Sequence, residues 1–185
     1  MINEVIQETR DRMKKSEAAF EKDLSKVRTG RASQAILDGV MVDYYGAQTP
    51  LPQMATISVP ESRLITVKPW DVSVINEVEK AIHKANIGLT PANDGKLIRI
   101  SIPPLTEDRR REIVKKVART CEDYKVAIRN IRRDSNDMLK ELQKEGEISE
   151  DDCFKAQKQV QESTDDFIQR LDNIFAEKEE EILEV

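Results

Sequence analysis

The stretch Tyr124–Leu139, YKVAIRNIRRDSNDML, is the middle of a run from Thr106 to Lys144 whose periodicity decides the fold. On an α-helix, Val114, Val117, Cys121, Tyr124, Ile128, Ile131, Ser135, Met138 and Leu142 recur at spacings of three and four. That is the apolar seam of a long packed helix, with one polar member. On the same wheel Lys125, Arg129, Arg132, Arg133, Asn136 and Lys140 form a second stripe, and Asp123, Asp134, Asp137 and Glu141 a third. A solvated helix usually interleaves its charges as opposite pairs one turn apart. Four cations between Lys125 and Arg133 with no acid among them therefore mark a candidate anion-binding surface, and the matching anion is a polyphosphate.

Working outward, the helix has room to be long. Thr106 is a candidate N-cap with Glu107 and Asp108 in the first turn, where the helix dipole favours acids. Gly146 is the expected stop. Ser149 with Asp152 reads as a capping-box variant. A further seam follows at Cys153, Gln157, Val160, Thr164, Phe167, Leu171 and Ile174, widened by Phe154, Ile168, Phe175 and Ile182. At the other end of the chain Ile2, Ile6, Thr9, Met13, Ser16, Phe20, Leu24 and Val27 repeat the spacing, so a first helix is expected to run to Thr29-Gly30. Three long amphipathic helices must bury their stripes against one another.

Between Ala32 and Pro103-Pro104 the pattern is strand-like. Val40–Tyr45, Ala55–Val59 and Leu64–Val67 read as strands, with Pro50 and Pro52 ruling out helix in the loop after the first. One short helix follows, capped by Asp71 or Ser73, with Ile75, Val78, Ala81 and Ile82 on its apolar face. A hairpin turning at Asn93-Asp94-Gly95 closes the segment, with Ile98, Ile100 and Ile102 on one face. Trp70 is expected as a core or lid residue at the strand-to-helix corner.

These readings give an α+β architecture: a three-helix bundle from residues 1–29 and 105–185, with a small β/α/β sandwich domain, residues 30–104, inserted between helix one and helix two. Two short crossings join them, so a hinge is expected there and the whole should be elongated and bent.

Composition limits the function. The 185 residues are 38% hydrophobic and 35% charged with only 4% aromatics, which suits an aliphatic helix bundle. No apolar run approaches the ~20 residues of a membrane span, and the amphipathic N-terminus lacks the apolar block of a signal peptide, so a cytoplasmic protein with no membrane partner is expected. Cys121 and Cys153 fall on seam positions and read as small buried hydrophobes. The lone His83 has no nucleophile or carboxylate at a legible spacing, and no phosphate-binding or dinucleotide glycine pattern occurs. Hence neither an enzyme, a small-molecule substrate, a cofactor nor a metal is expected. The formal charge of −5 is uneven: Ser149–Val185 holds 12 acids and 4 bases, leaving the first 148 residues at about +3. A cytosolic coiled-coil adaptor or chaperone is the alternative to an RNA-binding factor, but it would favour an exposed apolar patch over a charged stripe.

Three motifs also carry a family resemblance. Arg28-Thr29-Gly30-Arg31-Ala32 lies at the first crossing, and Asn93–Arg99 with Pro103-Pro104-Leu105-Thr106-Glu107-Asp108-Arg109-Arg110 leads through the second. With Val126–Asp134 on the long helix, they resemble the bacterial ribosome recycling factors over essentially the whole chain. The resemblance implies an L-shaped, two-domain factor, expected to act as a monomer. Such a factor enters the post-termination ribosome and, with elongation factor G and GTP hydrolysis, splits it. It further implies that Arg132 first, then Arg129, Arg133, Arg28, Arg31, Arg109 and Arg110, contact large-subunit ribosomal RNA; the stripe adds Lys125 to this set, and the two crossings place the expected hinge at Thr29, Gly30, Arg31, Pro103, Pro104 and Leu105.

Overall fold

The structure, a computed structural model, describes residues 1–184. The fold is α+β. The chain divides into two compact units, Met1–Arg28 with Glu107–Glu184, and Thr29–Thr106.

The first unit is built from α1 (Ile2–Ser25), α3 (Glu107–Lys144) and α4 (Glu150–Leu183). One end of its core joins Met13, Phe20 and Leu24 of α1 to Val117, Cys121, Ile128 and Ile131 of α3 and Phe167, Leu171 and Ile182 of α4. The other end joins Ile6, Leu139, Cys153, Ala156 and Val160. Buried hydroxyls stand among these apolar groups: Thr9 and Ser135 share a 2.6 Å hydrogen bond, while Ser135 also donates to the Ile131 carbonyl and Thr164 to that of Val160. Bonding back to their own helices keeps these buried hydroxyls satisfied. Both thiols are free and buried, Cys121 pointing at the Leu171 carbonyl and Cys153 at that of Leu139.

Three expectations for this unit need correction. First, α1 ends at Ser25, not at Thr29-Gly30. The Lys26 and Val27 amides bond to the Asp23 and Leu24 carbonyls in a tightened last turn, and Ser25 Oγ donates to the Lys22 carbonyl. Gly30 does adopt a left-handed φ of +82°, but beyond the helix, where a Cβ would come within 3.2 Å of Leu105 Cγ. Second, the α3 seam passes through Leu139, which is fully buried, while Met138 is only half-buried. A heptad reading steps 3.5 residues per turn whereas the helix turns every 3.6, so the register slips by one residue after Ser135. Third, Phe154 does not widen the α4 seam. It is 69% exposed, and Cys153 and Ala156 are the buried residues on either side of it. The α3–α4 connection is closed by Gly146 at φ +76°, with the Glu147 amide on the Leu142 carbonyl, and Ser149 Oγ then accepts the Asp152 amide to begin α4.

The second unit holds two antiparallel sheets and one helix. β1 (Met41–Tyr44) pairs with β2 (Ala47–Pro50) as a hairpin. The other sheet has the order β3-β4-β6-β5, from β3 (Ala55–Glu61), β4 (Leu64–Pro69), β5 (Pro91–Asn93) and β6 (Ile98–Ser101). In its centre Ile65 stands opposite Ile100 and Val67 opposite Ile98. α2 (Ile75–Lys84) lays Ile75, Val78 and Ile82 onto this core, which Leu37, Val42 and Leu51 complete. β2 and the 3₁₀ turns at Gln34–Leu37 and Leu51–Gln53 fall where the sequence suggested only loop. Pro52 fits inside the second of these because a first-turn proline has no amide bond to lose. Asp71 caps a 3₁₀ turn, Val72–Val74, that leads into α2. Trp70 is not a core residue: it is 66% exposed, with its indole N–H on Thr56 Oγ1 at 2.9 Å.

Candidate nucleic-acid interface

α3 displays its cations at fixed angles because its seam is pinned between α1 and α4. Residues 100° and more from the seam centre face outward, and residues near 60° to 80° lie at the flank where α4 packs. The stripe read from the sequence therefore splits into positions with different environments.

Lys125 lies at the flank and is the least available. Its side chain is 18% exposed and its ammonium sits 2.5 Å from Asp172 of α4, with Glu122 at 4.0 Å. The hydrogen bond to Asp172 holds its pKa above the usual lysine value against the opposing effect of burial. It is thus a charge neutralised inside the bundle. Arg129 is further out, yet its guanidinium meets Glu122 at 2.9 Å. Glu122 belongs to the same stripe, seven residues before Arg129, so acid and base are less completely sorted than the run Lys125–Arg133 suggests.

Arg132 and Arg133 differ from both. Arg132 Nη1 donates to the neutral Gln161 amide oxygen at 3.1 Å, and Arg133 Nη1 to the Asn130 side chain at 3.5 Å. Among the described residues neither has a carboxylate within 4.0 Å. Asp134, the acid next in the chain, is drawn the other way, onto Arg12 of α1 at 2.7 Å. An arginine oriented by a neutral amide keeps its full charge and most of its five donors for an incoming anion. Asn136 follows on the stripe with its Oδ1 buried and without a partner among the described residues.

The remaining candidates are not on this face. Arg110 lies at a seam angle, donates to the Leu183 carbonyl at 3.2 Å, and buries its Nε without a partner among the described residues. Its geometry is that of an anchor for the end of α4, where a cation meets the free carbonyls of a helix C-terminus. Arg109 is exposed and paired with Glu112 at 2.8 Å. Arg28 and Arg31 are exposed on the first crossing, one in each unit. The sequence reading missed a basic extension: Lys115 and Arg119, a few turns earlier on the outermost face of α3, are exposed and have no carboxylate within 4.0 Å among the described residues. They were legible as the same 100° wheel extended two turns back, past Glu122.

This surface presents guanidinium, ammonium and amide groups. Among the described residues no group of His, Cys, Asp and Glu side chains could hold a metal ion, and burial pushes the Cys121 thiol above its usual range. Its capacity is to hold an extended anion by hydrogen bonding and charge.

Residues 20–183 match the family model described as ribosome recycling factor. A ribosome-recycling factor from Desulforapulum autotrophicum is 68% identical over 185 residues, covering all of both chains, and one from Bacillus licheniformis is 51% identical over the same span. Among solved structures, a solution structure of the ribosome recycling factor superposes with a TM-score of 0.78 at 38% identity, covering 100% of this chain and 98% of that one. A second, from models of the T. thermophilus ribosome recycling factor and E. coli elongation factor G bound to the E. coli post-termination complex, gives 0.64 at 44% identity, with 99% of each chain covered.

Proposed function

Because the chain belongs to the ribosome recycling factor family, we propose that it recycles ribosomes by docking on the post-termination complex and splitting it together with elongation factor G and GTP. Family membership makes it a translation factor and not an enzyme; its work is mechanical and the hydrolysis is the partner's. The similar structure that carries elongation factor G on a post-termination complex supports this choice of partners. Ribosomes place the action in the cytoplasm, and no helix among the described residues is long and apolar enough to cross a membrane.

Docking rests on large-subunit ribosomal RNA gripped by α3. The observation that carries this reading is Arg132: it is aimed by Gln161, free of carboxylates within 4.0 Å among the described residues, and beside the seam without being part of it. Arg133 and Arg129 extend the contact along the helix. Arg129 must first exchange Glu122 for a phosphate, and Lys125 contributes little because Asp172 already neutralises it. Arg28, Arg31 and Arg109 serve as secondary phosphate contacts, and Arg110 supports the fold around α4. A guanidinium presents a planar fork that matches two oxygens of one phosphate, a geometry that an ammonium lacks.

Splitting requires the two units to move as bodies. Neither crossing continues a helix: residues 26–33 and 102–106 lack regular structure apart from turns. Thr29, Gly30 and Arg31 in one, and Pro103, Pro104 and Leu105 in the other, are the hinge. Gly30, closely approached by Leu105, sets the φ that only glycine adopts without strain. The direct test is light scattering of purified post-termination complexes mixed with this protein, elongation factor G and GTP. A fall in scattering that needs all three supports the proposal, and no fall overturns it.

A further inference from the structure

The bundle treats two cations on one flank of α3 in opposite ways. Lys125 and Arg132 are two helical turns apart, so both face α4. At Lys125, α4 supplies a carboxylate, Asp172, at 2.5 Å. At Arg132 it supplies the neutral Gln161 amide, although a carboxylate stands one turn further along α4 at Asp165.

That carboxylate is engaged, but on the far side of the amide. Gln161 Nε2 donates to Asp165 Oδ1 at 2.8 Å, while Gln161 Oε1 accepts from Arg132 Nη1 at 3.1 Å. Only one orientation of the amide satisfies both neighbours, with its NH2 on the anion and its carbonyl on the cation. Asp165 therefore fixes which end of Gln161 faces Arg132, and its pull on the N–H makes the carbonyl a stronger acceptor. The acid nearest Arg132 in the chain is held elsewhere: Asp134 pairs with Arg12 of α1 at 2.7 Å.

A Gln–Asp pair one turn apart on an exposed helix face is by itself ordinary. Here the pair reaches across to another helix and ends on a half-buried arginine. A long side chain that is already oriented loses fewer rotamers when it meets an anion. Being held by a neutral group, Arg132 also has no ion pair to break first, whereas Arg129 must release Glu122. We propose that Gln161 and Asp165 are positioning residues for RNA contact. The amide orients Arg132, the carboxylate orients the amide, and the order of the two, amide inside and acid outside, keeps Arg132 available. The proposal rests on the RNA contact by Arg132 inferred above.

The test exchanges the two groups in the full chain. Gln161→Glu combined with Asp165→Asn keeps the net charge and nearly the same shapes, but moves the carboxylate from behind the amide onto Arg132. Co-sedimentation with vacant large subunits across a salt series, and thermal melts, are measured for this exchange, for Arg132→Ala and for the two combined. The exchange should leave the melting temperature at or above the parental value, since an ion pair between helices replaces a neutral contact. It should lower affinity about tenfold, with a shallower salt dependence, as for the loss of one arginine contact to RNA. In the Arg132→Ala background the same exchange should change affinity by less than about twofold, because no guanidinium remains to be neutralised. Parental affinity in the exchanged variant, or a loss as large without Arg132 as with it, overturns the proposal. Gln161→Met removes the acceptor at similar length and should lower affinity about threefold through lost orientation. Should the exchanged variant not fold, parental affinity in Gln161→Met overturns the proposal. If Arg132→Ala itself binds as the parent chain does, the RNA contact falls and the positioning role with it; weakened Arg132→Ala beside a fully binding exchange removes the positioning role alone.

Discussion

At the scale of single residues, Arg132 and Lys125 show how one eight-residue run holds two different cations. Both lie on the same stripe of α3, but the Asp172 carboxylate reaches Lys125 whereas the neutral Gln161 amide reaches Arg132. Arg132→Ala should therefore weaken binding to large subunits by about 1–3 kcal/mol with little change in melting temperature, and Arg132→Lys should weaken it less but measurably. Lys125→Ala should do the reverse, lowering stability by up to ~1 kcal/mol through its partly exposed ion pair and leaving binding nearly unchanged. Filter binding and thermal melts on the three variants check both. Another pair, Tyr124 and Asp23, predicts a pH response. Tyr124 donates to Asp23 at 2.6 Å, which pushes the phenol up to about 12 and holds the carboxyl below its usual range. The raised phenol stabilises the fold fully below the ordinary tyrosine value near 10, and that stabilisation is lost as pH rises through about 12. The lowered carboxyl stabilises above the ordinary aspartate range and loses its effect as pH falls through its own lower value. In a spectrophotometric titration one tyrosine should ionise near pH 12, and that step should vanish in Tyr124→Phe.

At the scale of elements, the seam of α3 fixes which way every cation points. Ile128 is fully buried in the middle of that seam, so Ile128→Ala should cost ~2–5 kcal/mol in chemical denaturation, and an unchanged midpoint would mean that the register is wrong. Leu139→Ala should cost more than Met138→Ala, because Leu139 is the buried residue of the pair. That pair also marks where sequence reading reached its limit. Spacings of three and four located all three long helices and nearly every buried residue of α3, since a long amphipathic helix repeats its signal many times. They could not resolve a one-residue slip after Ser135, which arises from the difference between 3.5 and 3.6 residues per turn. Short elements carried less signal still. β2, with the sequence Ala47–Pro50, alternates too briefly to be read, and its strand character comes from pairing with β1. Trp70 was misjudged for a similar reason: size favours burial, but nothing local reveals that Thr56 will satisfy the indole at the surface. In the candidate interface, the stripe itself was legible. The carboxylates that silence part of it were not, since Asp172 is 47 residues from Lys125 in the chain and only the packing of α4 on α3 brings them together.

At the scale of the whole molecule, the proposed hinge and the RNA grip combine in one account: a rigid bundle holds the large subunit while the second unit moves with the partner that supplies force. Residual dipolar couplings should fit each unit as a rigid body and should require different relative orientations across temperatures; one fixed orientation throughout would remove the hinge. A tether joining the two crossings, such as a disulfide engineered between the loops, should spare large-subunit binding and impair splitting. The central claim is that the bundle binds structured RNA through α3, and a salt titration tests it most directly. Co-sedimentation of the purified protein with vacant large subunits should weaken linearly in log affinity against log salt. Arg132→Ala should lower that affinity, reducing the slope by about one unit if Arg132 holds a phosphate and by less if it reads a base edge. Parental affinity in Arg132→Ala together with a lowered melting temperature would contradict the claim, because it would make Arg132 a structural residue of the bundle and leave the RNA without its grip.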